Sequence, residues 1–196
     1  MSLSLLPLTA ARLQAFRALL GGPDFGGCFC AVWTAHGPDW AARCGDPAQP
    51  NYAEAARRVA AGEHLGYLVE DDGQLVAWCG AGPKPGFPLL ASKLASRLSP
   101  MDPAVWSVGC LALSSAWRGA GRSARVLEAV IERARASGAE ALEAYPTLPW
   151  DEPRSYRGAH STYARLGFAI VGREAEGEGE VLLMRLELGS GPGAAP

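Results

Sequence analysis

The stretch WSVGCLALSSAWRGAGRSARVLEAVIERA, residues 106–134, decides the fold. Its first part belongs to an apolar run over residues 104–113, which is typical of a buried strand. Its last part belongs to a helix predicted over residues 123–137, because apolar residues recur there on one helical face. That face carries Val126, Leu127, Val130, Ile131 and Ala134. The stretch therefore predicts a strand, a turn and a crossover helix.

The turn between strand and helix has the composition of an anion site. A helix start leaves backbone N–H groups unpaired, and Gly119 and Gly121 carry no side chains that would keep a phosphate away. Arg118 and Arg122 add positive charge. A Walker loop is excluded, because Ala116 and Arg122 replace its first glycine and its lysine. The turn indicates a phosphate-bearing ligand, and the alternative is that the glycines only let the helix start close to a sheet.

A dinucleotide site is a second interpretation of the same turn. Gly119, Gly121 and Ala124 match its glycine pattern, and Glu140 and Glu143 lie near the distance expected for a ribose contact. In that pattern the glycines follow the strand almost at once, whereas here SSAWR intervenes. The strands upstream also favour an antiparallel meander over repeated crossovers. The dinucleotide interpretation is therefore the weaker one.

Before the central stretch, the sequence predicts two helices and a hairpin. The first helix is capped by Thr9 and ends at 21–23, and the second begins with a capping box of Asn51 and Glu54. Residues 25–34 are interpreted as a short strand. The hairpin joins 66–70 to 74–81 through an Asp-Gly turn.

The remaining elements follow from periodicity and from the positions of proline. Pro88 predicts a short helix that carries Leu90, Leu94 and Leu98. After the crossover helix we expect a strand, a proline-rich loop, a helix and a closing hairpin, at residues 140–145, 146–153, 155–166 and 168–188 respectively.

Composition limits the class of protein. The chain has 196 residues, 48% of them hydrophobic, which suits one domain over 1–188 with a flexible tail at 189–196. A net charge of -2 gives no field that would draw the chain to nucleic acid or anionic lipid. The N-terminus has no leader pattern, and no run reaches the roughly 18 apolar residues of a membrane span. We therefore expect a cytoplasmic protein with neither nucleic-acid nor membrane partners.

The cysteines raise the question of a metal. Their odd number, five, suits reduced thiols better than disulfides. Cys28, Cys30, His36 and Cys44 are four soft ligands within a short span, but Cys-x-Cys is not the spacing of a zinc finger. We expect no metal, and the residues leave open whether Cys28 and Cys30 do more than pack.

A family resemblance rests on two motifs. The segment LALSSAWRGAGRSARVL, with Arg118-Gly119-Ala120-Gly121-Arg122-Ser123, resembles the acetyl-CoA signature of the GNAT superfamily of N-acetyltransferases. The segment STYARLGF is similar to that family's Tyr-x-x-x-Gly-Phe element before its last hairpin. Ser123 departs from the family's glycine or alanine, although its small hydroxyl can still contact a phosphate. The resemblance covers residues 3–188 and agrees with the predicted order of elements.

The resemblance implies an α/β (α+β) fold, in which helices flank one mixed and mostly antiparallel sheet. It implies that the turn binds the pyrophosphate of acetyl-CoA and that the end of the strand binds its pantetheine arm. Gly109 would mark a bulge that parts the strands, unless it is only a packing glycine. The implied acetyl-CoA residues are Leu111, Ala112, Leu113, Arg118, Gly119, Ala120, Gly121, Arg122, Ser123 and Ala124.

The resemblance also implies direct transfer of an acetyl group to an amine. Leu113 would polarise the thioester carbonyl through its N–H, and Tyr163 would protonate the leaving thiolate, with a core tyrosine as the alternative. The general base stays open among Glu143, His160, a water chain and an amine that loses its proton unaided. The acceptor stays open as well, between a small molecule, an antibiotic amino group and a peptide N-terminus. A non-catalytic acyl-CoA sensor is the alternative to an enzyme, and the oligomeric state, a homodimer included, is not determined.

Overall fold

The computed structural model describes residues 3–34, 38–63, 66–92, 100–150 and 156–189. Eight strands form one sheet in the order β1-β2-β3-β4-β5-β8-β6, with β7 paired to β8. Only β4 and β5 pair in parallel among the described strands, and the other pairs are antiparallel. The strands are β1 Leu3–Pro7, β2 Tyr67–Asp71, β3 Gln74–Pro83, β4 Val105–Leu113, β5 Ala141–Ala144, β6 Thr147–Leu148, β7 Ala169–Glu176 and β8 Gly179–Glu187.

Helices cover the two faces of this sheet. The described helices are α1 Leu13–Leu20, α2 Ala31–Thr34, α3 Pro50–Ala60, α4 Arg122–Ala136 and α5 His160–Arg165. Short 3-10 turns lie at Ala10–Arg12, Pro38–Trp40, Lys84–Gly86, Pro88–Ser92 and Ser115–Trp117. No helix among the described residues is long and apolar enough to cross a membrane. The predicted fold class, a mixed and mostly antiparallel sheet flanked by helices, is confirmed.

The crossover helix α4 carries the core of one sheet face. Its predicted apolar stripe is buried, with Val126, Leu127, Val130 and Ala134 fully enclosed. Complete burial of one such large side chain is worth about 1.5–3 kcal/mol, so the stripe fixes α4 against the sheet. A second core on the opposite face includes Phe16 and Trp78, whose rings pack 4.7 Å apart. The sheet therefore lies between two apolar layers.

A β-bulge in β4 lies at Gly109, as predicted. Gly80 pairs with Cys110 and Ala81 pairs with Val108, so Gly109 is the extra residue. A Cβ on Gly109 would lie 2.8 Å from Cδ1 of Trp33, which packs directly on the backbone. The glycine therefore serves both the bulge and close packing.

The parallel pair β4 and β5 separates after this bulge. Among the described residues β5 pairs with Val105–Val108 of β4, and the rest of β4 continues beside β3 alone. The sheet is therefore open between the second half of β4 and the segment that follows β5.

The predicted hairpin forms between β2 and β3. Asp72 and Gly73 have φ of 48° and 82°, the left-handed conformation that an Asp-Gly turn adopts readily. The helix predicted after Thr9 forms too, but the Thr9 side chain makes no capping hydrogen bond. The strand β1 was not predicted from the sequence.

Residues 25–34 are not a strand, so that prediction is wrong. Gly26, Gly27, Phe29 and Cys30 all have positive φ, which no extended strand allows. The segment forms turns and then α2.

Three other predicted boundaries change. The capping box is wrong, because α3 begins at Pro50 and the buried Asn51 donates a 3.0 Å hydrogen bond to the Trp40 carbonyl. The Pro88 segment is a 3-10 turn, and Leu94 and Leu98 lie outside the described residues. The helix predicted over 155–166 is only α5 in the described part, and the predicted tail lies outside it apart from Gly189.

Candidate functional site

A cleft of about 740 Å³ opens beside the second half of β4. Its lining comes from three distant parts of the chain, residues 20–44, 110–123 and 150–165, together with Trp78 on its floor. Leu111, Ala112 and Leu113 form the β4 edge of the cleft. The fold thus brings the predicted turn and the predicted strand end into one cavity.

The glycine turn has the geometry of an anion cradle. Gly119, Ala120 and Gly121 have φ of 84°, 50° and 71° in succession. A Cβ on Gly119 or Gly121 would meet no atom within 4 Å, so neither glycine is required by packing. The alternative that the glycines only admit the helix close to the sheet is therefore not supported.

Backbone donors of the turn are free for a ligand. The N–H of Arg122 bonds to Gly119 and that of Ala124 bonds to Gly121. Within the described residues, the N–H groups of Gly119, Ala120, Gly121 and Ser123 have no backbone acceptor. These donors stand at the start of α4, where the helix dipole favours a negative charge.

Arginine side chains hold the turn in place. Arg118 Nε donates to the Leu113 carbonyl at 3.1 Å, which ties the turn to the end of β4. Arg122 reaches back to the Ala116 carbonyl at 3.4 Å and lies over the Trp117 ring. Both guanidinium groups thus remain beside the turn and contribute positive potential there.

The exposed edge of β4 offers two further donors. The N–H of Ser114 bonds to the Val76 carbonyl at 2.9 Å, and Leu113 lies opposite Ala77. Because hydrogen-bonded positions alternate along an antiparallel pair, the N–H groups of Leu113 and Leu111 point away from β3. They face the opening between β4 and the segment after β5.

Tyr163 does not line the cleft. Its side chain is fully buried, packs against Phe168 at 5.3 Å and donates a 2.9 Å hydrogen bond to the Arg157 carbonyl. A Cβ on Gly158, a residue of the cleft wall, would lie 3.0 Å from the Tyr163 hydroxyl. Burial raises the pKa of this phenol well above its usual range. In this structure the Tyr163 side chain lies behind the wall, and its role as the acid stays a prediction.

A different phenol, Tyr156, lines the cleft directly. Its hydroxyl accepts a 3.4 Å hydrogen bond from Arg157 Nε, and its side chain is half-buried. Burial raises the pKa of Tyr156 against the opposing effect of the Arg157 charge, so the phenol stays protonated at neutral pH. Sequence reasoning missed Tyr156, since it lies in an irregular segment that carries no motif.

The two side-chain candidates for the general base lie away from the cleft. Glu143 is fully buried and pairs at 2.9 Å with both Lys84 and Arg185, while the Tyr145 hydroxyl donates to it at 3.2 Å. His160 is the first residue of α5 and does not line the cavity. Neither Glu143, which is buried, nor Glu140, which is exposed, lines the cleft, so the ribose contact of the dinucleotide interpretation is not supported.

Among the described lining residues, Asp24 supplies the one carboxylate. It accepts hydrogen bonds from the Ser115 N–H at 2.9 Å and from the Ser115 hydroxyl at 3.1 Å. These bonds lower the pKa of Asp24, which weakens it as a base. Asp24 thus connects the loop after α1 to the loop after β4, and no sequence motif predicts this contact.

Four of the five cysteines line the cleft: Cys28, Cys30, Cys44 and Cys110. A hydrogen bond from the Cys28 thiol lowers the pKa of Cys44 to about 7 and raises that of Cys28. Within the described ranges no three potential ligands lie close enough to hold a metal ion, and His36 falls outside those ranges. The cysteines therefore form part of the cavity wall.

Comparison with known proteins gives a family and a fold. The model of the acetyltransferase (GNAT) family matches residues 29–168, which is more than half of the chain. The comparison with curated protein sequences gives no match.

Solved structures resemble the whole chain. AAC(6′)-Ib in complex with paromomycin and acetyl-CoA is 17% identical with a TM-score of 0.64, over 95% of this chain and 94% of that one. An N-acetyltransferase from Staphylococcus aureus Mu50 is 14% identical with a TM-score of 0.56, over 96% and 100%. Mosquito arylalkylamine N-acetyltransferase like 5b is 14% identical with a TM-score of 0.60, over 95% and 100%. At these identities the likeness shows the fold, and together with the family match it leads to one conclusion: this chain belongs to the GNAT family of acetyltransferases.

Proposed function

We propose that this protein transfers the acetyl group of acetyl-CoA directly to an amine, within one domain over residues 1–188. One observation carries the proposal. The free N–H groups of the glycine turn and the outward N–H groups of β4 line the same cleft. The AAC(6′)-Ib relative, which is solved with acetyl-CoA, supports the same assignment.

The glycine turn binds the pyrophosphate. The N–H groups of Gly119, Ala120, Gly121 and Ser123 donate to phosphate oxygens, and the absence of Cβ atoms at the two glycines permits close approach. Arg118 and Arg122 add charge, and the Ser123 hydroxyl adds a donor at the start of α4. Ala124 completes the turn through its bond to Gly121.

The edge of β4 binds the pantetheine arm and activates the thioester. Leu111, Ala112 and Leu113 offer an extended backbone whose partner strand has ended. Leu113 donates its N–H to the thioester carbonyl and stabilises the negative charge that develops on that oxygen when the amine attacks. Leu111 presents the same kind of donor two residues earlier and is the alternative.

Tyr156 supplies the proton that the leaving thiolate needs. It is the phenol that lines the described cleft, and its raised pKa keeps it in the protonated form that can donate to the sulfur as the thiolate leaves. Tyr163, which the family resemblance favours, could act only if its hydroxyl left the Arg157 carbonyl and passed the wall at Gly158. We therefore assign the acid to Tyr156.

No base is assigned among the described side chains. Glu143 is enclosed by its ion pairs, and Asp24 has a lowered pKa. We propose that the amine enters unprotonated or loses its proton to water. The rate should then rise with pH toward the pKa of the acceptor amine.

The test measures release of CoA thiol from acetyl-CoA in the presence of a panel of primary amines, with mass spectrometry of the products. We expect thiol release to depend on the amine, and each consumed amine to gain one acetyl group. Tight binding of acetyl-CoA with an intact thioester across the panel would instead identify a sensor. Preference for NAD over CoA would overturn the assignment of the turn.

A further inference from the structure

Apart from the proposed acetyl-CoA residues, the described lining of the cleft consists mainly of apolar and aromatic side chains. Six of them, which we call the acceptor half, are Phe25, Phe29, Val32, Trp40, Trp150 and Tyr156. Phe25 and Phe29 come from the loop after α1, Val32 from α2 and Trp40 from the 3-10 turn Pro38–Trp40. Trp150 follows β6, and Tyr156 lies in the irregular segment before α5. Apart from Tyr156, none of these side chains takes part in the catalytic steps proposed above.

From this lining we infer that the acceptor is a small aromatic amine with a single amino group. The inference rests on the proposed function, because it names the substrate class of the same site. It predicts that a polycationic antibiotic is a poorer acceptor.

The aromatic walls are held firmly enough to select a ligand. Phe29 is 1% exposed, and its ring packs at 5.6 Å from Phe16 and at 5.4 Å from Tyr52. Trp150 at the rim is 48% exposed, so a bound ring would bury a surface that water now covers. A flat apolar ligand therefore gains binding free energy by packing on the fixed Phe29 ring and by covering the exposed Trp150 ring.

The described charges at the cleft offer one position for an ammonium group. Among the described lining residues the carboxylate is that of Asp24, and the cationic side chains are Arg165 and Arg118, which we assign to the pyrophosphate. Asp24 already accepts two hydrogen bonds from Ser115. One ammonium group can rest against Asp24 or an aromatic face.

The size of the cavity sets a further limit. The 740 Å³ must accommodate the pantetheine arm along β4 as well as the acceptor. Trp78 and Cys110 close the floor, and both are buried. The acceptor therefore shares the cleft with the pantetheine arm, which limits the size of the acceptor.

The experiment compares three acceptors at saturating acetyl-CoA: 2-phenylethylamine, ethanolamine and kanamycin. The first is an aromatic monoamine, the second lacks the ring and the third is polycationic. We expect kcat/KM for 2-phenylethylamine to exceed that for each of the others by about 100-fold, the scale set by burial of a phenyl ring. Equal or better turnover of kanamycin would overturn the inference while leaving the acetyltransferase function intact.

Two variants test whether the acceptor half causes the preference for 2-phenylethylamine. Trp150→Ala at the rim should raise KM for 2-phenylethylamine about tenfold and change KM for ethanolamine, which has no ring, by much less. Val171→Ala, at a residue of β7 that is 47% exposed and outside the cleft, is the control and should change nothing. Equal kinetics of wild type and Trp150→Ala toward 2-phenylethylamine would contradict a role for this wall.

A binding measurement separates this inference from the proposed function. Calorimetry would titrate 2-phenylethylamine into the protein saturated with CoA. If 2-phenylethylamine binds but no amine is acetylated, the inferred ligand class stands and the proposed acetyltransferase function is wrong. If 2-phenylethylamine neither binds nor reacts, the inferred acceptor class is wrong.

Discussion

Tyr156 and Tyr163 differ in their access to the cleft, and we propose different roles for them on that ground. Tyr163 matches the family motif but bonds its hydroxyl to the Arg157 carbonyl behind the cleft wall. Tyr156 matches no motif but lines the cavity. A proton donor must reach the leaving group, so position outweighs the motif here.

We expect Tyr156→Phe to lower kcat by roughly 10²-fold with little change in acetyl-CoA affinity, because it removes only the acidic hydroxyl. Tyr163→Phe should leave kcat within about threefold and reduce the free energy of unfolding by about 1 kcal/mol, through loss of one buried hydrogen bond. Single-turnover rates and urea unfolding of both variants check this. The opposite pattern would restore Tyr163 as the acid.

Cys44 has the most reactive environment of the thiols in the cleft. The hydrogen bond from Cys28 brings its pKa to about 7 from an ordinary value of 9.0, so near neutral pH about half of it is thiolate. We expect its alkylation by iodoacetamide, followed by mass spectrometry, to rise with pH to a midpoint near 7, about two units below an ordinary thiol. The Cys28→Ser variant is the comparison, and an unshifted midpoint near 9 in the wild type would contradict the assigned hydrogen bond.

At the scale of the elements, the bulge in β4 decides how the cleft forms. Gly109 adds one residue to β4 between its pairings with Gly80 and Ala81. After this point β4 no longer pairs with β5, and its outward N–H groups become available. The bulge thus converts a continuous sheet into a binding edge.

Gly109→Ala should destabilise the protein by about 1–3 kcal/mol, because its Cβ would lie 2.8 Å from the Trp33 ring. Its backbone needs no left-handed conformation, so the cost comes from overpacking alone. Urea unfolding measures it. Combining the change with Trp33→Phe should recover part of the loss, and strictly additive effects would show that the two residues do not interact.

Elements with strong local patterns were predictable from the sequence. The stripe of α4, the Asp-Gly turn and the apolar run of β4 each carry their own signal, and each formed within a residue or two of its predicted bounds. The strand β1 forms by pairing with β2, which lies about sixty residues later in the chain. Residues 25–34 mix aromatic and β-branched side chains with glycine, and their positive φ values depend on distant packing that no local pattern encodes.

The candidate site likewise contains some residues that local sequence patterns predict and others that they do not. The anion turn at Gly119 and Gly121 follows from local chemistry, because a helix start and two glycines suffice to expose donors. Tyr156, Asp24 and the acceptor half could not be predicted, because they meet β4 only after the chain has folded. Their contacts are long-range and carry no spacing rule.

At the scale of the whole molecule, the sheet holds three distant segments around one cleft. The α4 crossover supplies the turn, the bulged β4 supplies the edge, and the loop after α1 closes the far side through the contact of Asp24 with Ser115. The central claim is that these parts form an acetyl-CoA site, with the glycine turn as its anchor.

Calorimetric titration of acetyl-CoA into Gly121→Val and Gly138→Val tests this claim most directly. Both glycines have positive φ, of 71° and 76°, and a Cβ on either would meet nothing within 4 Å, so the two substitutions impose similar strain. Only Gly121 lines the cleft, since Gly138 follows the opposite end of α4. We predict that Gly121→Val weakens acetyl-CoA binding by at least about 100-fold, because the side chain blocks the pyrophosphate, while Gly138→Val binds like the wild type. A folded Gly121→Val protein with wild-type affinity for acetyl-CoA would contradict the account.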